Sequence, residues 1–264
     1  MYVILSMLLS APLFVESLKA EKATYETSDG VKIVADYYAP LAAPDRDKKA
    51  PVAILIHMYP LNRSSWSQLI PPLHDAGFAI LAYDIRGRGE STEPLNKNLR
   101  DLYGRQSPAL FTEAWRDAEG ALKWLSKRPE CDTSHVTVIG ASVGASIAID
   151  FARREPRVKT IVGLSPYTEV MGIKTADHIK EIAKRAIFLL SPAGTEFDRI
   201  KDLTLACNCP VKSEHFPGSA AQHGTNLLDE PTYGDQVVRS VVDFCKTALA
   251  SKNASPKPEA NKKP

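Results

Sequence analysis

The sequence predicts one α/β domain: a mainly parallel central sheet of about eight strands, flanked by helices on both sides. Three features of the chain point to this architecture. Short, almost continuous apolar runs such as Pro51–Ile56 and Phe78–Tyr83 read as strands buried on both faces. Amphipathic stretches fall between these runs, so strand and helix alternate along the chain, as parallel pairing requires. The 264 residues, 44% hydrophobic and 24% charged, suit a domain that buries a large core without staples.

The elements follow in order. Thr24–Tyr38 alternates around a turn at Ser28-Asp29-Gly30 and predicts a hairpin of two outer strands. Pro51–Ile56 is the first buried strand. Ser65–Ala76 is helical, broken or kinked by Pro71 and Pro72, and Gly77 ends it. Phe78–Tyr83 is the next strand, and Thr92–Ala109 is the longest irregular stretch. Phe111–Ser126 places Trp115, Ala118, Leu122 and Leu125 on one helical face. Strand Val136–Ile139 leads into the small-residue helix Gly144–Arg153. Strand Val158–Leu164, helix Ala176–Arg185, strand Ala186–Leu190 and helix Phe197–Ala206 come next. Strand Val211–Phe216 and helix Tyr233–Leu249 complete the domain, which spans residues 21–250.

The two ends differ from the middle. Residues 1–20 contain the apolar run Val3–Val15, the length of a signal-peptide core and too short to span a bilayer. The expectation is export to the periplasm or medium; a cytoplasmic chain would instead pack this segment on the domain as a helix. Residues 251–264, rich in Lys and Pro, hold no apolar residue larger than Ala and are expected to be disordered. That tail has four lysines against one glutamate, so the net charge of +2 belongs to it and the remainder carries −1.

A near-neutral chain argues against a nucleic-acid partner. No apolar run is long enough for a stable membrane span. Four cysteines are too few for a disulfide scaffold, and Cys207-x-Cys209 has no second close pair to make a zinc site. In an exported protein they allow one or two bridges; in a cytoplasmic one they are small buried hydrophobes.

The chemistry is expected at the carboxyl ends of the strands. Gly140-Ala141-Ser142-Val143-Gly144 follows a strand and opens a helix, the setting in which G-x-S-x-G presents a nucleophile. Ser142 must occupy a tight turn that holds its hydroxyl clear of the backbone. Gly140 and Gly144 remove Cβ atoms that would collide across it. The serine needs a base. Among six histidines, His223 lies just beyond the last strand with Gly224 beside it, whereas His135 lies at the wrong end of a strand. His74 and His178 fall on helices, His215 lies within the last strand, and His57 reads as a buried, hydrogen-bonded residue shaping its loop. The base needs an orienting carboxylate, expected after Ala186–Leu190: Asp198 first, with Glu196 as the alternative. The oxyanion hole calls for two backbone N–H groups, Val143 and Tyr59, with Met58 as a fallback for the second.

These residues identify a resemblance to the α/β-hydrolase superfamily, over roughly Tyr25 to Leu249. The chain especially resembles small lidless members such as dienelactone hydrolases and bacterial carboxylesterases. The stretch Asp84-Ile85-Arg86-Gly87-Arg88-Gly89-Glu90-Ser91 is similar to the family's D-x-R-G-x-G-x-S loop, which implies a structural brace. The His57 loop resembles its H-G-x-P turn, with Met58 in place of Gly. The acid loop resembles G-x-x-D, with Phe197 at the acid's place and Asp198 one later. Only about 20 residues separate Leu164 from Ala186, so no large cap domain is expected, and Thr92–Ala109 is the candidate rim. The resemblance implies a serine hydrolase that cleaves carboxylic esters of small molecules through a Ser142–His223–Asp198 triad and an acyl-enzyme, with no cofactor and no metal. The alternatives are a thioesterase or peptidase with the same triad, or an inactive hydrolase fold that binds.

Overall fold

The computed structural model describes residues 18–41 and 49–253. The segment expected to direct export lies outside them except for residues 18–20, as does the tail beyond residue 253. The chain opens with the antiparallel hairpin β1 (Glu21–Glu26) and β2 (Lys32–Tyr38). There follow β3 (Ala50–Ile56), α1 (Ile70–Asp75), β4 (Ala79–Tyr83), α2 (Leu99–Gly104), α3 (Pro108–Phe111) and α4 (Trp115–Leu125). Next come β5 (Cys131–Ala141), α5 (Val143–Arg154), β6 (Val158–Leu164), α6 (Thr175–His178) and β7 (Ala186–Pro192). The chain ends on α7 (Thr195–Ala206), β8 (Val211–Phe216) and α8 (Gly234–Asn253).

The eight strands form one sheet in the order β1-β2-β4-β3-β5-β6-β7-β8. β2 pairs antiparallel with β1 and β4, and every later pairing is parallel. Strand alternation explains the continuous apolar runs. Val52, Ile54 and Ile56 of β3 enter one core, while Ala53 and Leu55 enter the other. The first core lies against α4 and α5 through residues such as Ala118, Leu122, Ile147 and Phe151. The second lies against α1 and α8 through Ile70, Leu73, Val237 and Val241. Among the described residues, no helix is long and apolar enough to cross a membrane.

Several elements differ from expectation. Pro71 and Pro72 start α1 instead of breaking a longer helix, because the first turn needs no N–H from either. His74, expected at the surface, is buried with Nε2 on the Ala39 carbonyl oxygen at 2.9 Å. Thr92–Ala109 is not irregular: α2 and α3 bury Leu99, Tyr103, Leu110 and Phe111. The helix expected at Ala176–Arg185 shrinks to α6 and one 3-10 turn, Ile179–Glu181, after which Ile182 is extended and buried. The whole connection from β6 to β7 is therefore short and holds no large cap.

Candidate active site

The first side chain stands where β5 turns into α5. Ser142 has φ 54° and ψ −122°, a conformation that an L-residue adopts only under constraint. The constraint is visible on every side. Ser142 N–H donates to the Leu164 carbonyl at 2.8 Å. A Cβ on Gly140 would lie 2.2 Å from the Gly144 carbonyl oxygen. One on Gly144 would lie 2.2 Å from the Ile56 oxygen and 2.5 Å from the His57 oxygen. The elbow thus closes on itself and presses the start of α5 against the end of β3. That contact sets the start of α5 against Ile56 and His57, where the loop after β3 begins. Val143 is the first residue of α5, so its N–H has no acceptor within the helix.

The loop after β3 is held by His57. Ile85 N–H donates to His57 Nε2 at 3.0 Å, so the proton sits on Nδ1, which donates to the Met58 carbonyl at 2.9 Å. Burial pushes the imidazole down to about 4, and it stays neutral. The Met58 side chain, standing where the family turn has Gly, is buried in the second core beneath the His223 loop. A Cβ on Gly224 would meet Met58 Sδ at 2.4 Å, and Gly224 has φ 62°; glycine alone suits both conditions. The same Cβ would be 3.6 Å from Ala141 Cβ, so the His223 loop rests directly on the residue before Ser142. The Tyr59 side chain packs on Tyr103, ring centroids 5.1 Å apart, and its hydroxyl donates to Gly104 O at 3.3 Å.

His223 Nδ1 lies 2.6 Å from Glu196 Oε1. This corrects the expected partner, Asp198. α7 starts at Thr195, two residues before the expected helix at Phe197, and residues two apart on a helix point to nearly opposite sides. Glu196 shares the inner face with Ile200 and Leu203 and is buried, while Asp198 is exposed. The longer Glu side chain spans the extra distance from helix to imidazole. Burial works against the Glu196 charge. The hydrogen bond from His223, the Ser165 hydroxyl and the Arg199 guanidinium outweigh it and hold the carboxyl below its ordinary range. An ionised Glu196 accepts only, so a neutral His223 carries its proton on Nδ1 and leaves Nε2 as the basic nitrogen. That Nε2 is buried and, among the described residues, has no hydrogen-bond partner. Ser142 Oγ is not hydrogen-bonded to it.

Sequence reasoning missed Ser165. It follows β6 with φ 52°, is buried, donates its N–H to Leu190 O at 2.6 Å, and accepts from Gly224 N–H at 3.0 Å through Oγ. Its hydroxyl also lies beside Glu196, where it favours the carboxylate charge. Tyr167 packs on the His223 ring at 5.4 Å, and the Arg199 guanidinium lies over the Tyr167 ring at 4.5 Å.

The Asp84–Ser91 loop, which reaches His57 through Ile85 N–H, acts as a brace. Asp84 accepts from Arg63 N at 3.0 Å and Glu90 N at 2.9 Å. Arg86 pairs with buried Asp117 at 2.8 Å and with Asp29 at 2.7 Å, and Ser91 Oγ accepts Val34 N–H at 2.9 Å.

A strained serine elbow between a parallel strand and a helix, with an imidazole–carboxylate pair from the next strand ends, defines a class. The family model for the α/β hydrolase fold matches residues 51–208, and the chain belongs to that family. The match includes Ser142 and Glu196 and stops before His223. Among curated relatives, epoxide hydrolase B of Mycobacterium tuberculosis is 30% identical over 120 residues, 45% of this chain and 30% of that protein. An uncharacterised protein of the same organism is 26% identical over 145 residues, 55% of this chain and 45% of its own length. The chain thus spans less than half the length of these relatives. Among solved structures, DcsB, determined with a substrate analogue, superposes with a TM-score of 0.72 at 15% identity, covering 88% of this chain and 100% of that one. An esterase of Pyrococcus furiosus superposes at 0.67 and 17% identity, covering 88% and 92%. At such identities the likeness is one of fold.

Proposed function

We propose that the protein is a serine hydrolase that cleaves carboxylic esters of small to medium size through Ser142, His223 and Glu196. The observation that carries this reading is the 2.6 Å Glu196–His223 pair on a loop seated against the residue before Ser142. Ser142 Oγ attacks the ester carbonyl as its proton passes to His223 Nε2. Glu196 fixes the imidazole tautomer and stabilises the imidazolium that forms. The N–H groups of Val143 and Tyr59 receive the oxyanion at the positive end of α5. His223 then protonates the departing alcohol, and water repeats the sequence on the acyl-enzyme. The short β6–β7 connection favours ready access by a small substrate over enclosure beneath a cap.

The test is hydrolysis of p-nitrophenyl acetate by the native protein and by Ser142→Ala. Loss of the nucleophile should lower kcat by about three orders of magnitude or more, with the thermal unfolding midpoint retained. Undiminished turnover in a folded Ser142→Ala protein would overturn the proposal.

A further inference from the structure

Cys207 and Cys209 flank Asn208 in the turn from α7 to β8. Neither residue takes part in the site described above. Cys207 closes α7, donating its N–H to Leu203 O at 3.1 Å. Asn208 Nδ2 donates to Lys180 O at 2.6 Å, which fixes the residue between the two cysteines. The two Sγ atoms stand 2.9 Å apart, within about 1 Å of a disulfide bond length. Both cysteines are partly exposed. Cys131 and Cys245 are buried in cores on opposite faces of the sheet, out of reach of each other and of reagents. All four are thiols.

We propose that Cys207 and Cys209 form a reversible oxidation site, which closes to an intramolecular disulfide by exchange with a small aliphatic disulfide such as oxidised glutathione. Cys209 gives its proton to solvent, and its thiolate attacks one sulfur of the reagent. The reagent S–S bond breaks, and one glutathione thiolate leaves and is protonated. Cys207 then loses its proton to solvent and attacks Cys209 Sγ. The protein S–S bond forms, and the second glutathione thiolate departs. Two protein thiols are oxidised by two electrons while one reagent disulfide is reduced to two thiols. Burial and the neighbouring Cys209 push the Cys207 thiol up to about 12, which disfavours Cys207 as the first thiolate.

A ring that spans one intervening residue is strained and readily reduced, so the bond is a labile one. It also sits at the opposite end of the sheet from Ser142, because α7 runs from the carboxyl end of β7 to the amino end of β8. Oxidation therefore marks the α7–β8 turn without entering the candidate active site.

The full chain is incubated with millimolar oxidised glutathione and analysed by intact and peptide mass spectrometry. The peptide containing residues 207–209 should lose about 2 Da, the two hydrogens of the exchange. Little glutathione adduct should accumulate, and dithiothreitol should restore the mass. Cys207→Ser, which removes the resolving thiol, should instead retain one stable glutathione adduct on Cys209. Stable adducts on both cysteines of the native chain would overturn the proposal. So would disulfide-linked dimers on a non-reducing gel, or an unmodified 207–209 peptide.

Discussion

Replacing Glu196 with Gln keeps the side-chain volume and removes the charge opposite His223. The Nδ1–Oε1 distance of 2.6 Å puts the charge centres of imidazolium and carboxylate roughly 4 Å apart. At the effective dielectric of about 20 that suits protein sites, that separation is worth about 4 kcal/mol. In the proposed mechanism the imidazolium forms as Ser142 gives up its proton, so this energy would belong to the transition state and not to substrate binding. At about 1.4 kcal/mol per decade, Glu196→Gln should lower kcat by roughly three orders of magnitude with KM little changed. Asp198→Asn is the control: the exposed Asp198 has no such role, and kcat should stay within about twofold, as for other surface charges. Both variants are assayed side by side on p-nitrophenyl acetate, after confirming their folding by circular dichroism. A Glu196→Gln enzyme of native activity, or a large loss in Asp198→Asn, would refute this reasoning.

Three further outcomes are expected. Gly144→Ala drives a Cβ onto the backbone oxygens of Ile56 and His57, at 2.2 and 2.5 Å, and should destabilise the fold by at least about 1–3 kcal/mol in urea unfolding; native stability would contradict the packing of the elbow on β3. Ser165→Ala removes the acceptor of Gly224 N–H and the hydroxyl beside Glu196. It should cost about 1.5–3 kcal/mol, seen as a roughly ten- to hundredfold fall in kcat, whereas an unchanged kcat would leave Ser165 without a positioning role. Glu196 also ties stability to pH. Its folded carboxyl titrates below the ordinary 4.5, so the unfolded chain binds the proton first as the solution is acidified. The stability that the charge contributes is present at neutral pH and is lost as pH falls from about 4.5 through the folded value. The unfolding free-energy difference between native protein and Glu196→Gln should shrink across that window; a constant difference would exclude the linkage.

The parts of this molecule that local patterns dictate were legible in the sequence. Val136–Ile139 followed by Gly140-x-Ser142-x-Gly144 reports a strand, a tight turn and a helix in one string, because only glycine fits the contacts at both ends of the turn. His223 stands out because it alone follows the last strand closely. The carboxylate was less legible, since it depends on where α7 starts. Once Thr195 is helical, the spacing of Glu196, Ile200 and Leu203 marks the buried face and turns Asp198 away. That spacing was present in the sequence, but Gly194 and Pro192 made the segment read as a loop. Leu99, Tyr103, Leu110 and Phe111 likewise hid two short helices among Asn, Gly and Pro. Ser165 gave no local signal at all. Its partners come from β7, α7 and the loop after β8, and only the assembled sheet brings them together.

Covalent labelling reads the proposed activation of Ser142 directly. The native protein is treated with a fluorophosphonate and digested, and the labelled peptide is sequenced by mass spectrometry. Rapid, stoichiometric phosphonylation at Ser142 is expected, abolished in Ser142→Ala and strongly slowed in Glu196→Gln. A folded native protein that takes up no label, or takes it up at another residue, would contradict it.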